Sequence, residues 1–420
     1  MKITNVQFSP GVSSFYFDDQ AAIKGGAGMD GFIYVGPAAT PGFDSIRQSG
    51  EAISVLIELE NGQWAEGDCA AVQYSGAGGR DPLFTAERYI PWMSSVLRPL
   101  LIGRDVSKFL ENARFIDQLT ADGRQIHTAI RYGLSQALLD ATAKATNRLK
   151  LEVVCDEYGL PIDPSPLKLF GQSGDDRYNA VDKMIMKRVD ALPHGLINNV
   201  STKLGENGGR LQEYVTWLTQ RIMKLRGSAA YLPTIHIDVY GTIGLIFQNN
   251  PVAIARYLGE LEERAGQFPL YIEGPVDVGN RQDQIELLGA IKRQLREIGS
   301  EVRIVADEWC NTYQDIVGFV DAGCCDMVQI KTPDLGSVHN AIEAVLYCHS
   351  HGVEAYLGGT CNETDVSARA CLHIAQATRP QRVLIKPGMG FDEGLTIVAN
   401  EMRRNQSILQ AKYPTAGAVQ

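Results

Sequence analysis

Apolar and polar positions fall into two regimes along the 420 residues. In the first 160 the clearest piece is a hairpin. Ile53, Val55, Ile57 and Leu59 alternate with mostly polar neighbours, Asn61-Gly62 supplies a type I′ turn, and the chain returns through Trp64 to Val72. From Gln125 to Thr146 the period changes. Ile126, Ile130, Leu134, Leu138 and Ala141 recur at steps of three or four, which predicts a helix with one apolar face and a partner surface to cover it. Pro161, Pro164 and Pro166 then crowd GLPIDPSPLK, where missing N–H donors and fixed φ angles stop regular structure. The domain boundary is placed there: residues 1–160 form an N-terminal α+β domain, and residues 161–420 a barrel domain with a C-terminal tail.

Beyond the prolines short apolar runs recur: LKLFGQS (167–173), HGLINNV (194–200), TIHIDVYG (234–241), PLYIEGP (269–275), VRIVADEW (302–309), MVQIKTP (327–333), EAYLGGT (354–360) and RVLIKPG (382–388). Most are separated by amphipathic stretches long enough for a helix, such as NAIEAVLYCHSHG. The pattern predicts an α/β fold, a TIM-type (β/α) barrel of about 250 residues. HGLINNV has the weakest periodicity of the eight.

Composition narrows the function. With 45% hydrophobic and 21% charged residues and 42 glycines, the chain is globular rather than disordered, collagenous or coiled-coil. A net charge of -10 has the wrong sign for counterion-release binding to nucleic acid. Neither a signal-peptide-like stretch nor 18 consecutive apolar residues occurs, so the expectation is a cytoplasmic protein that does not span a membrane. Eight cysteines without a C-x-x-C pair read as free thiols, mostly in the core.

Catalytic groups in a β/α barrel sit at the C-terminal ends of the strands. The third strand is expected to end with Asp238, the fourth with Glu273 and the fifth with Asp307; the spacings of 35 and 34 are about one βα unit each. Alternation turns His236 and Asp238 inward with Ile235 and Ile237 outward, and likewise Gln329 and Lys331 inward with Ile330 outward. Three carboxylates converging on one rim repel one another unless a cation neutralises them, and hard oxygen ligands suit Mg²⁺. Facing them, Lys331 becomes a candidate base. Its ordinary pKa near 10.4 would have to fall to roughly 7 to 8, the direction in which Mg²⁺ and desolvation both push.

The segments FYFDDQ, GDCAAVQYSGAGGRDP, QSGDDRY, LPHGLINNV, HIDVYGTIG, IEGPVDV, ADEWCNT, VQIKTPDLG, YLGGTCNET and KPGMGFDEG resemble, in order and over nearly the whole length, the methylaspartate ammonia-lyase family of the enolase superfamily. The resemblance implies a capping domain over the barrel and reversible loss of ammonia from threo-3-methylaspartate to give mesaconate. It also implies Mg²⁺, a monovalent cation such as K⁺ as activator, no organic cofactor, a homodimer, and a place in glutamate fermentation. Carried over position by position, Asp238, Glu273 and Asp307 hold Mg²⁺, and Lys331 takes the C3 proton of the (2S,3S) substrate. His194, from the second strand, faces the opposite side, with a part in transition-state stabilisation or in handling the C3 epimer. Substrate contacts fall to Gln172, His194, Gln329, Thr360 and Cys361.

Several other features have plainer readings. Gly26, Gly28 and Gly31 match G-x-G-x-x-G, but FIYVG follows where a helix should open, so no dinucleotide site is expected. YSGAGGRDP (74–82) lacks the Lys-Ser/Thr ending of a phosphate loop and reads as a capping-domain loop that closes over the barrel mouth. Cys361 has no basic partner in view, and elimination needs no covalent intermediate. Cys348, His349 and His351 end the helix after the sixth strand, at the opposite face of the barrel, and Cys324 and Cys325 read as packing thiols. The rivals are another enolase-superfamily reaction and a barrel that has lost catalysis. The K-x-K usual on the second strand of superfamily racemases and cycloisomerases is replaced by HGLINN, and an intact Asp238, Glu273, Asp307 and Lys331 set argues against a dead site.

Overall fold

The computed structural model describes residues 1–77, 79–359 and 361–414. Its N-terminal part is an antiparallel sheet in the order Ile3–Asp18, Arg47–Leu59, Trp64–Ala70. The hairpin lies where alternation puts it, with Ile53, Val55, Ile57 and Leu59 all buried. Its turn differs from the type I′ expectation. Gly62 alone takes the left-handed region, at φ 79°, while the Asn61 side chain accepts from the Gln63 amide at 3.0 Å.

The helix expected near 125–146 runs from Thr128 to Ala145 and is buried all round rather than on one face. Ile130, Leu134, Leu138 and Ala141 pack with the sheet, and Tyr132, Leu139 and Ala143 with the core around the barrel. The helix is a layer between two partners, so a single apolar stripe understates it. Two glycines set its distance from the sheet. A Cβ on Gly67 would stand 2.4 Å from the Gly133 carbonyl oxygen, and one on Gly133 would stand 2.4 Å from the Cys69 nitrogen.

The rest closes into an eight-stranded parallel barrel: Leu169–Phe170, Ala191–His194, Thr234–Asp238, Leu270–Glu273, Arg303–Ala306, Met327–Ile330, Glu354–Leu357 and Arg382–Leu384. A helix follows each strand, from Asn179–Met186 after the first to Phe391–Lys412 after the eighth. Seven strands fall inside the expected runs. The second does not: it ends at His194, where HGLINNV begins. His194, Gly195 and Leu196 have φ of 65°, 89° and 48°, so three left-handed residues in succession forbid extension through the apolar residues that follow. The inside-outside alternation is the one expected. Ile235, Ile237, Val328 and Ile330 face the helices, whereas Phe170, Ala191, Tyr271, Val305, Met327, Tyr356 and Leu384 fill the interior.

All eight cysteines are free, and all but the half-buried Cys361 are buried. No helix among the described residues is long and apolar enough to cross a membrane.

Candidate active site

At the C-terminal ends of the strands lies a cavity of about 90 Å³, lined from the barrel by Gln172, His194, Asp238, Tyr240, Asp307, Glu308, Gln329, Lys331 and Cys361. Val72, Gln73, Tyr74 and Arg80 line it from the N-terminal domain. His194, Asp238 and Glu273 are the last residues of their strands; Asp307 and Lys331 stand one residue past theirs. In the closed strand order the second and sixth strands lie across the barrel from each other, so His194 and Lys331 address the cavity from opposite sides. Thr360 lies outside the described residues.

The acids are deeply buried, with Asp238 2%, Glu273 0% and Asp307 5% exposed. Ligating atoms of His194, Asp238 and Glu273 fall within 4.8 Å of one another. Two unit charges that close repel by about 3 kcal/mol at an effective dielectric of about 20. Burial, and then the charge of Asp307, push Asp238 well above the usual carboxylate range; burial, Asp238 and Asp307 do the same to Glu273. Asp307 stands outside the tight group, drawn to Lys331 by an ion pair of 2.6 Å between its Oδ1 and the Nζ.

Burial does work to lower the Lys331 pKa, but Asp307 and Glu308 beside the ammonium outweigh it and hold the value above that of an ordinary lysine. The lowered lysine expected from the sequence is therefore not a property of the protein groups alone. His194 moves the other way: burial, then Lys331, bring it down to about 3, so its ring is neutral at physiological pH. Burial pushes the Cys361 thiol up to about 12, which leaves no thiolate to act as a nucleophile, and its carbonyl accepts from the Ser14 hydroxyl at 2.6 Å.

His194 Nδ1 and Gln329 Oε1, both buried at the site, have no hydrogen-bond partner among the described residues. Such atoms are costly unless a ligand satisfies them. Clustered carboxylate oxygens whose mutual charge is not offset, beside unsatisfied polar atoms, are the donor chemistry of a hard divalent cation with a polar ligand next to it. The residues present fit such an ion.

The N-terminal domain closes the mouth. Arg80 Nε donates to Asp334 Oδ2 and Arg80 Nη2 to Asn311 Oδ1, both at 3.1 Å, which joins the glycine-rich loop to the barrel rim. The Ser14 amide donates to the Glu363 carbonyl at 3.1 Å. The loop 74–82 was expected over the barrel mouth, but sequence reasoning singled out none of Gln73, Tyr74, Arg80, Tyr240 and Glu308 as lining residues. Tyr240 and Glu308 follow expected ligands by two residues and one, a signal that was available; for the others the sequence indicated the loop but not which side chains in or beside it reach the cavity.

The chain is a (β/α) barrel protein with an N-terminal cap, and acids at the ends of three successive strands with a lysine at the end of the next form its candidate active site. Models of the N-terminal and C-terminal parts of methylaspartate ammonia-lyase match residues 1–159 and 161–411. The chain belongs to the methylaspartate ammonia-lyase family, which makes it a carbon–nitrogen lyase. It is 66% identical to the methylaspartate ammonia-lyase of Citrobacter amalonaticus over 98% of this chain and 100% of that one. The crystal structure of that protein containing (2S,3S)-3-methylaspartic acid superposes with a TM-score of 0.97 over the same shares. The Mg complex of β-methylaspartase from Clostridium tetanomorphum, 52% identical over 98% of this chain and 100% of that one, superposes with a TM-score of 0.94. Muconate lactonizing enzyme from Pseudomonas fluorescens, 15% identical with a TM-score of 0.59 over 89% and 84% of the chains, shares the fold.

Proposed function

We propose that the protein catalyses the reversible elimination of ammonia from L-threo-3-methylaspartate to give mesaconate, with Mg²⁺ held by Asp238, Glu273 and Asp307. The observation that carries this reading is the placement of Lys331 and His194 across one cavity from each other, beside the acid cluster. The C3 proton lies α to a carboxylate and is only weakly acidic, so its removal needs a base on one side and stabilised charge on the other. Bound Mg²⁺ supplies that positive charge and offsets the acids that hold Lys331 protonated. Lys331 takes the proton of the (2S,3S) substrate at Nζ. His194, neutral and with Nδ1 unsatisfied, serves the opposite face and the C3 epimer.

Gln172 and Gln329 orient the substrate through their amides, and Thr360 and Cys361 complete its contacts. Val72, Tyr74 and Arg80 form the cavity wall contributed by the N-terminal domain. The amine leaves from C2 once charge develops at C3, so no organic cofactor is required. The reading extends to K⁺ as activator, a homodimer, a cytoplasmic location, glutamate fermentation as the pathway, and the division of the chain at residue 160 into cap and barrel; these rest on the family resemblance and on the proline-rich segment. Proton NMR of threo-3-methylaspartate incubated with protein and Mg²⁺ tests it. Stoichiometric ammonium and mesaconate are expected, and unchanged substrate would overturn the reading.

A further inference from the structure

Glu273 differs from the other two acids in how its carboxylate is held. Its Oε2 lies 2.7 Å from His236 Nε2, and its Oε1 accepts from the Tyr356 hydroxyl at 2.7 Å. These partners are rooted in the barrel interior, on the third and seventh strands, and all three side chains are fully buried. By contrast, Asp238 Oδ1 accepts from the Tyr240 backbone amide, and Asp307 faces Lys331.

The His236 ring is itself fixed. Phe170 stacks on it with centroids 4.3 Å apart and planes 25° from parallel, and Arg382 Nη1 lies 3.3 Å from its Nδ1. A guanidinium donates only, so Nδ1 must be the acceptor and carries no proton. The remaining ring proton is therefore on Nε2, aimed at Glu273. The fold thus dictates a donor, not an acceptor, at one carboxylate oxygen, and the tyrosine supplies the donor at the other. Each oxygen keeps a further lone pair for a metal.

We propose that His236 and Tyr356 are positioning residues that preset the Glu273 carboxylate as a Mg²⁺ ligand, and that Arg382 sets the His236 tautomer that makes this possible. The inference rests on the reading of Glu273 as a ligand. Partners of this kind fix ligand orientation, and their loss costs metal affinity.

Calorimetric titration of the full-length protein with Mg²⁺ alone tests it. Tyr356→Phe and His236→Leu should each weaken Mg²⁺ binding about 10- to 100-fold, while His236→Gln, which keeps an N–H near the place of Nε2, should stay within about threefold of the original. Tyr356→Phe removes a single buried oxygen and decides the matter if His236→Leu does not fold; its metal-free melting temperature should match that of the unaltered chain. Unchanged affinity in Tyr356→Phe would overturn the proposal, as would a His236→Gln variant as weak as His236→Leu. Absence of Mg²⁺ uptake by the unaltered chain would instead overturn the assignment of Glu273 as a ligand.

Discussion

Lys331 Nζ lies 2.6 Å from Asp307 Oδ1, an ion pair that ties the ends of two neighbouring barrel strands. It places the candidate base against one of the candidate metal ligands, so whatever binds the acids also governs the lysine. Lys331→Ala should lower turnover of (2S,3S)-3-methylaspartate by about 10²- to 10⁴-fold, the usual worth of a positioned base. Mg²⁺ affinity should remain, since the acids are untouched. A variant keeping most of its rate would contradict the base assignment.

His194 faces Lys331 from across the barrel, and its ring is neutral. His194→Ala should therefore fall hardest on the (2S,3R) epimer, whose C3 proton points to the other face. The measurement is the ratio of kcat/KM values for the two epimers in the variant and in the unaltered protein. Equal loss on both would contradict a face-specific role.

Arg80 anchors the capping-domain loop to Asp334 and Asn311 and forms part of the cavity wall. Removing it frees the loop and leaves Asp334 without its salt-bridge partner. Arg80→Ala should lower kcat/KM on the order of 10²-fold through misplacement of the wall rather than loss of a reacting group. Activity at the original level would show that closure does not depend on this anchor.

Outside the site, Asp19 caps the helix Gln20–Lys24 and also accepts from the Ala39 and Thr40 amides and the Thr40 hydroxyl. Burial raises its pKa, but the hydrogen bonds from Thr40 and Ala39 outweigh it and bring the value down to about 2. A depressed folded-state pKa means stability that is fully present above the unfolded value of about 4 and is lost as pH falls toward 2. Asp19→Ala should melt at a lower temperature at pH 7, by an amount corresponding to about 0.5–2 kcal/mol for the cap. The gap should hold down to about pH 5 and narrow below pH 4. A gap that does not change with pH would contradict the charged-cap account.

The barrel was legible in the sequence because parallel strands buried on both faces read as apolar runs, and Asp238, Glu273 and Asp307 recur within three of them at even spacing. The second strand was not, because Pro193 interrupts ALPH while the apolar Leu196 and Ile197 lie beyond a left-handed turn that no propensity announces. The loop 74–82 was legible as one that closes over the barrel mouth, but Arg80 and Tyr74 within it were not singled out, because which side chains reach the cavity depends on how one domain docks on another, as does the second buried face of Thr128–Ala145. The hold of Tyr356 on Glu273 joins residues 83 apart in sequence, and only closure of the barrel brings them together.

The most direct test of the account is ultraviolet absorbance of the purified protein with threo-3-methylaspartate, with and without Mg²⁺, since the conjugated product absorbs where the substrate does not. A rise that requires Mg²⁺ is the predicted result. No rise, with Mg²⁺ shown to bind, would contradict the substrate assignment and turn attention to other carboxylates for the same barrel and base.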